Sequence, residues 1–246
     1  MTDIRQTLRK AISLIQGKPG EVDDLVAAVV AGRTMEVTHR LDRGANVNGV
    51  MANGFTALHL AAGLGRAEMV RLLLAKGAVA NTQEATGLTP LHFAASNGHV
   101  LVIEALVRYG SNVNLRAVDG PMPLELAILN CRDDAVPILL AAGASMFARV
   151  GDDTNPLELA IVTGRPEIVV AVVEAGLDVE TREANGLTPL MFAAANGQSD
   201  VAAALLFGAH TRAASNRGET AAAIAARIGF PDLAKLLRPP FRISHS

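Results

Sequence analysis

The chain has 246 residues, 50% hydrophobic and 19% charged, with a formal net charge of −2. So apolar a composition at so small a charge excludes a disordered chain, and the missing basic excess excludes the electrostatic footprint of a nucleic-acid binder. One cysteine, Cys131, excludes an intramolecular disulfide framework and suits a reducing compartment, and no apolar run reaches the roughly 20 residues of a membrane span.

From the N-terminus, Ile4, Leu8, Ile12 and Ile15 recur at helical spacing and predict an amphipathic helix within residues 1–19. Asp3 among the basic residues and the short apolar run Ala11 to Ile15 exclude a secretion signal, so this helix is expected to cap the first repeating unit. Residues 20–52 are a weak copy of a unit that then recurs with clear punctuation. Gly54, Gly87, Gly120 and Gly186 fall 33, 33 and 66 residues apart, Asp153 fills the gap, and Gly218 arrives one residue early. The text around them repeats, as in NGFTALHLAAGLGRAEMVRLLLAKGA, TGLTPLHFAASNGHVLVIEALVRYGS and NGLTPLMFAAANGQSDVAAALLFGAH.

Each unit reads as two short helices. Thr89 and Thr188 are placed to cap a first helix, and Pro90, Pro123, Pro156 and Pro189 sit just inside, where a missing N–H costs nothing. Leu91, Ala94 and Ala95 form its packing face. Gly98, Gly164 and Gly197 supply the inter-helix turn. The second helix carries Val70, Leu72, Leu73 and Leu74, and Gly77, Gly110, Gly143, Gly176 and Gly208 end its copies. Only 3% of residues are aromatic, and an Ala/Leu/Val core suits closely packed thin layers. One such unit cannot bury both its faces, so the units must stack.

The 33-residue period, the T-P-L-H-x-A opening and the recurring Gly-Ala after the second helix resemble the ankyrin-repeat family. The resemblance covers roughly residues 20–237. It implies an all-α fold, a solenoid of stacked helix-turn-helix units with β-hairpin fingers. Seven repeats are expected in the domain 20–238 (20–52, 53–85, 86–118, 119–151, 152–184, 185–216 and 217–238), followed by a loose tail, 239–246.

No H-E-x-x-H, C-x-x-C, phosphate-binding loop or G-x-S-x-G elbow is present, so no catalytic, cofactor or metal residue is predicted. His59 and His92 occupy the Leu-His position, which the resemblance makes a bridge to backbone between repeats. Glu125 and Glu158 take its place in two successive repeats. They are either a carboxylate pair or one hydrogen-bonding group exchanged for another. Cys131 replaces a turn glycine beside Arg132, Asp133 and Asp134 and lacks a resolving partner.

The resemblance also implies that partners meet the hairpin tips and the outward residues of the first helices, on the concave side. Carried onto this sequence, the tips include Ala52, Phe55, Ala85, Leu88, Val118, Asp119, Asp152 and Leu187. The helix ends include Gly63, Leu64, Asn97, Asn130 and Asn196. Phe55, Leu88 and Leu187 are expected as exposed apolar tips. Arg116, Arg149 and Arg182 recur every 33 residues, and their planar forks suit carboxylate or phosphate. The alternative is local pairing with Asp119, Asp152, Glu180 or Glu183. Repeats four and five depart most from the pattern, with Met122 and Asn155 for threonine, Pro137 in a helix and Phe147 in a hairpin. Either they form a tuned centre of the binding face or they have drifted.

The expected function is a monomeric, cytoplasmic protein–protein interaction module, a scaffold, inhibitor or neutralising partner, with no cofactor and no nucleic-acid or membrane partner. A translocated bacterial-type effector is one alternative. An enzyme is another.

Overall fold

The computed structural model describes residues 4–15, 21–118, 120–145, 156–182, 186–206 and 211–238. Among these it contains fifteen helices and no strand. The chain divides into two compact units, Met1–Asp152 and Asp153–Ser246.

The first unit opens with α1 (Ile4–Ile15) and continues with four helix pairs: α2 (Glu21–Ala31) and α3 (Thr34–Asp42), α4 (Ala57–Gly63) and α5 (Ala67–Ala75), α6 (Pro90–Asn97) and α7 (Val100–Arg108), α8 (Pro123–Leu129) and α9 (Ala135–Ala141). First helices pack on first helices, α2 on α4, α4 on α6 and α6 on α8, while α5, α7 and α9 form a second layer. The second unit holds three pairs: α10 (Pro156–Thr163) and α11 (Pro166–Glu174), α12 (Pro189–Ala195) and α13 (Ser199–Leu205), α14 (Ala221–Ile228) and α15 (Pro231–Leu236). Within it α12 packs on both α10 and α14.

Local chemistry explains the boundaries. Pro90, Pro123, Pro156 and Pro189 each open a first helix, where their fixed φ is already helical. The turn after each first helix needs a left-handed residue. Gly98 supplies it at φ +75°, and Cys131 occupies the equivalent place at φ +53°, the one non-glycine among the described residues with positive φ. In the first unit the core is lined by Leu58, Leu60, Leu91, Ile103, Leu106, Leu124 and Ile128, all 1% exposed or less.

The fingers between repeats differ from the expected hairpins. Among the described residues a finger closes on a tight turn, as where the Glu84 amide donates to the Leu88 carbonyl (3.0 Å) and that of Gly87 to Glu84 (2.9 Å), too short for a strand ladder. Gly87 lies at φ +82°, and a Cβ there would stand 2.6 Å from the Val118 backbone nitrogen, so the next finger leaves no room for a side chain.

Two expected apolar tips are core residues. Phe55 and Leu88 are only 1% and 3% exposed. The residue after the turn glycine heads back toward its helix, and the Phe55 ring packs 5.6 Å from His59 and 5.3 Å from Phe93. Asp119, Phe147, Arg149, Asp152, Asn155, Gly208 and the tail 239–246 lie outside the described residues.

Candidate interaction surface

Hydrogen bonds that recur with the repeat hold neighbouring units of Met1–Asp152 in one alignment. The Thr56 amide donates to His59 Nδ1 (3.1 Å), so Nε2 carries the ring proton and donates to the Leu88 carbonyl of the next finger (3.1 Å). His92 does the same with the Thr89 amide (3.0 Å) and the Pro121 carbonyl (3.1 Å). Burial lowers both rings from the ordinary 6.5 to about 4, which keeps them neutral near pH 7.

A second set lies on Asn48, Asn81 and Asn114. Each side-chain amide donates to a glycine carbonyl of the following repeat (Gly77, Gly110, Gly143; 3.0 to 3.2 Å). The same amides accept from the backbone of Val79, Asn112 and Ser145 (2.7 to 2.9 Å). A third set runs backward, from Arg66, His99 and Arg132 to the carbonyls of Val30, Gly63 and Ser96 (2.6 to 3.1 Å). Sequence reasoning passed over both, although Asn48, Asn81 and Asn114 recur every 33 residues.

Arg116 and Arg182 of the expected ladder hold local hydrogen bonds. Arg116 grips both oxygens of Glu125 (3.1 and 3.3 Å) and donates to the Gly120 carbonyl (2.9 Å). Glu125 is fully buried and also accepts from the Met122 amide (2.8 Å), the bond that His59 Nδ1 accepts in its own repeat. So the glutamate exchanges one hydrogen-bonding group for another and brings its own counter-charge. At the equivalent place Gln83 donates to the carbonyls of Gly87 (2.9 Å) and Arg116 (3.3 Å). In the second unit Arg182 donates to Gly186 (3.2 Å) and Ala214 (2.7 Å). Gln83 and Arg182 at this position each tie a finger to itself and to the next one.

Among the described tips of the first unit, Ala52, Ala85, Thr86 and Val118 are exposed, the last 68%. Below them, half-buried, lie Leu64, Asn97 and Asn130 at the ends of α4, α6 and α8. Asn97 donates to the Gly63 carbonyl (3.1 Å) and Asn130 to its own helix at Leu126 (2.8 Å). In the second unit Arg182 and Asn196 are exposed and Leu187 half-buried, and Asn196 donates to Phe192 (2.8 Å). Cys131 is exposed. The described residues hold no group of three or more histidine, cysteine or acidic side chains placed to bind a metal ion.

A family model described as ankyrin repeats matches residues 25–117, 76–150 and 157–244. The chain belongs to the ankyrin-repeat family. The crystal structure of the human ASB11 ankyrin repeat domain is similar, at 27% identity and a TM-score of 0.73, over 88% of this chain and 98% of that one. None of the curated proteins compared matches the sequence. Ankyrin repeats generally serve as protein–protein interaction modules, on a scaffold with no catalytic group of its own. No helix among the described residues is long and apolar enough to cross a membrane.

Proposed function

We propose that this ankyrin-repeat chain binds another protein through its finger tips and first-helix ends, as a scaffold, inhibitor or neutralising partner. The observation that carries this reading is the alignment within the first unit. Ala52, Ala85 and Val118 stand exposed on successive fingers, above Leu64, Asn97 and Asn130, on a frame whose repeats are bonded to one another. Apolar tips above one leucine and two side-chain amides suit a protein interface, where apolar groups are accompanied by hydrogen-bonding ones. The reading includes a monomer acting in the cytoplasm on a protein and not on nucleic acid or membrane.

The test is affinity capture from the source cells, followed by titration of the identified partner. An Ala85→Glu/Val118→Glu chain, shown by circular dichroism to be folded, is compared with the wild type. Both positions are exposed, so folding should survive. Two charges placed in an apolar contact should weaken binding roughly tenfold or more. Equal affinity of the two chains would remove the fingers from the interface.

A further inference from the structure

The N-terminal helix lies where a simple end cap would not. Its neighbours are α2, α4 and α6, the first helices of three successive repeats. A helix that only closed the open end of the stack would need α2 alone. Among its described side chains, residues 6–13, Leu8 and Ala11 are buried and Ile12 is half-buried. Gln6, Arg9 and Lys10 are exposed.

Leu8 sits on Gly63, the last residue of α4. A Cβ built on Gly63 would stand 2.8 and 2.9 Å from the two Leu8 methyl carbons. Gly63 is helical and needs no glycine for its backbone, so the missing side chain serves close approach by Leu8. The equivalent positions in later repeats are Ser96, Leu129 and Val162. Gly63 on α4 and Ser96 on α6 are buried, the equivalent Val30 on α2 and Leu129 on α8 are half-buried, and Val162 is 59% exposed. The place α1 occupies is thus among the first-helix ends assigned to the partner-facing surface.

We propose that α1 is an intramolecular ligand of the first-helix face of repeats one to three, and that an amphipathic helix of a partner protein docks there in its place. This rests on the proposed interaction function and deepens it by naming the kind of partner. The chemistry of the seat defines the occupant: a helix with a branched apolar residue over Gly63, a small one three positions on, and a polar outer face. That is the helix-in-groove mode of recognition. A single twelve-residue helix has little intrinsic helix stability and is readily exchanged.

The test uses full-length chains and a fluorescent peptide of residues 1–18 as probe. In a Leu8→Asp/Ala11→Asp chain α1 is released and the seat is empty. It should bind the peptide about tenfold more tightly than the wild type, as a site closed some nine-tenths of the time requires. In a Gly63→Leu chain the seat is filled by the new side chain. Its α1 amides should exchange faster with deuterium, yet the peptide should not bind. Hydrogen exchange across α4 to α7 reports whether each variant is folded. Equal binding by wild type and released chain, or no binding by a released chain with α4 to α7 protected, overturns the proposal. Should the released chain unfold, the wild type decides by itself: α1 amides exchanging as slowly as those of α4 and α6 overturn exchangeability. None of these outcomes bears on the finger variants, whose positions are not those α1 touches.

Discussion

Glu125 and Arg116 show how one substitution demands another. Gln83 and His92 stand nine residues apart in sequence, as do Arg116 and Glu125, and Arg149 and Glu158 share that spacing. A histidine needs no counter-charge, whereas a buried carboxylate does. Glu125→His should therefore destabilise the chain, on the order of 2 kcal/mol, by removing the carboxylate that Arg116 grips. Adding Arg116→Gln recreates the glutamine and histidine combination of the preceding repeat, in which Gln83 bonds backbone carbonyls, and should recover most of the loss. A double-mutant cycle by urea denaturation measures this, and purely additive effects would refute the coupling. Cys131 carries a different cost, a side chain in the left-handed region where the neighbouring repeats have glycine. Cys131→Gly should stabilise by about 0.5–1 kcal/mol, net of the greater entropy of glycine in the unfolded chain. His59 and His92 set a pH dependence. Their folded values, about 4, lie below the ordinary 6.5, so the unfolded chain binds protons more readily in between. Stability should be flat above pH 6.5 with respect to these groups and fall as pH drops toward 4. The loss should be on the order of 3 kcal/mol per histidine, at about 1.4 kcal/mol for each pKa unit. Chains with His59→Gln or His92→Gln should show a shallower fall in denaturation midpoint over that window.

At the level of helices and fingers, most of the architecture was legible because the punctuation is local. Proline opens a helix, glycine turns it, and each says so within a few residues. What depended on the neighbouring repeat was less visible. Asn81 recurs with the period, but its meaning lies 29 residues on, at the Gly110 carbonyl it bonds. Phe55 and Leu88 follow turn glycines, and the sequence does not show which way the next side chain turns. The N-terminal helix was readable from its apolar spacing, while the face receiving it was not, because Gly63 has no pattern until Leu8 is placed against it. The candidate surface was legible as a set of repeat positions. Which of those positions are free was not, since Arg116 is taken up by a glutamate from the helix after its finger. Asn81→Ala tests the bonds between fingers: a loss of about 1 kcal/mol is expected at this exposed site, where water replaces part of what is removed. Hydrogen exchange should rise around residues 110–115 and leave α14 and α15 unchanged. A uniform rise would mean the bond is not local.

For the molecule as a whole, a repeat array is stabilised by its units and by the interfaces between neighbours, so damage spreads by adjacency. The same geometry places chemically similar positions side by side many times over, which suits recognition of an extended partner surface better than catalysis at one point. The central claim is that a protein partner binds across the fingers and first helices. Hydrogen exchange of the chain with and without its captured partner tests this most directly. The account predicts protection in residues 52–64, 85–97 and 118–130, with α5, α7 and α9 unchanged. Protection confined to α5, α7 and α9, with those three segments unaffected, would contradict it.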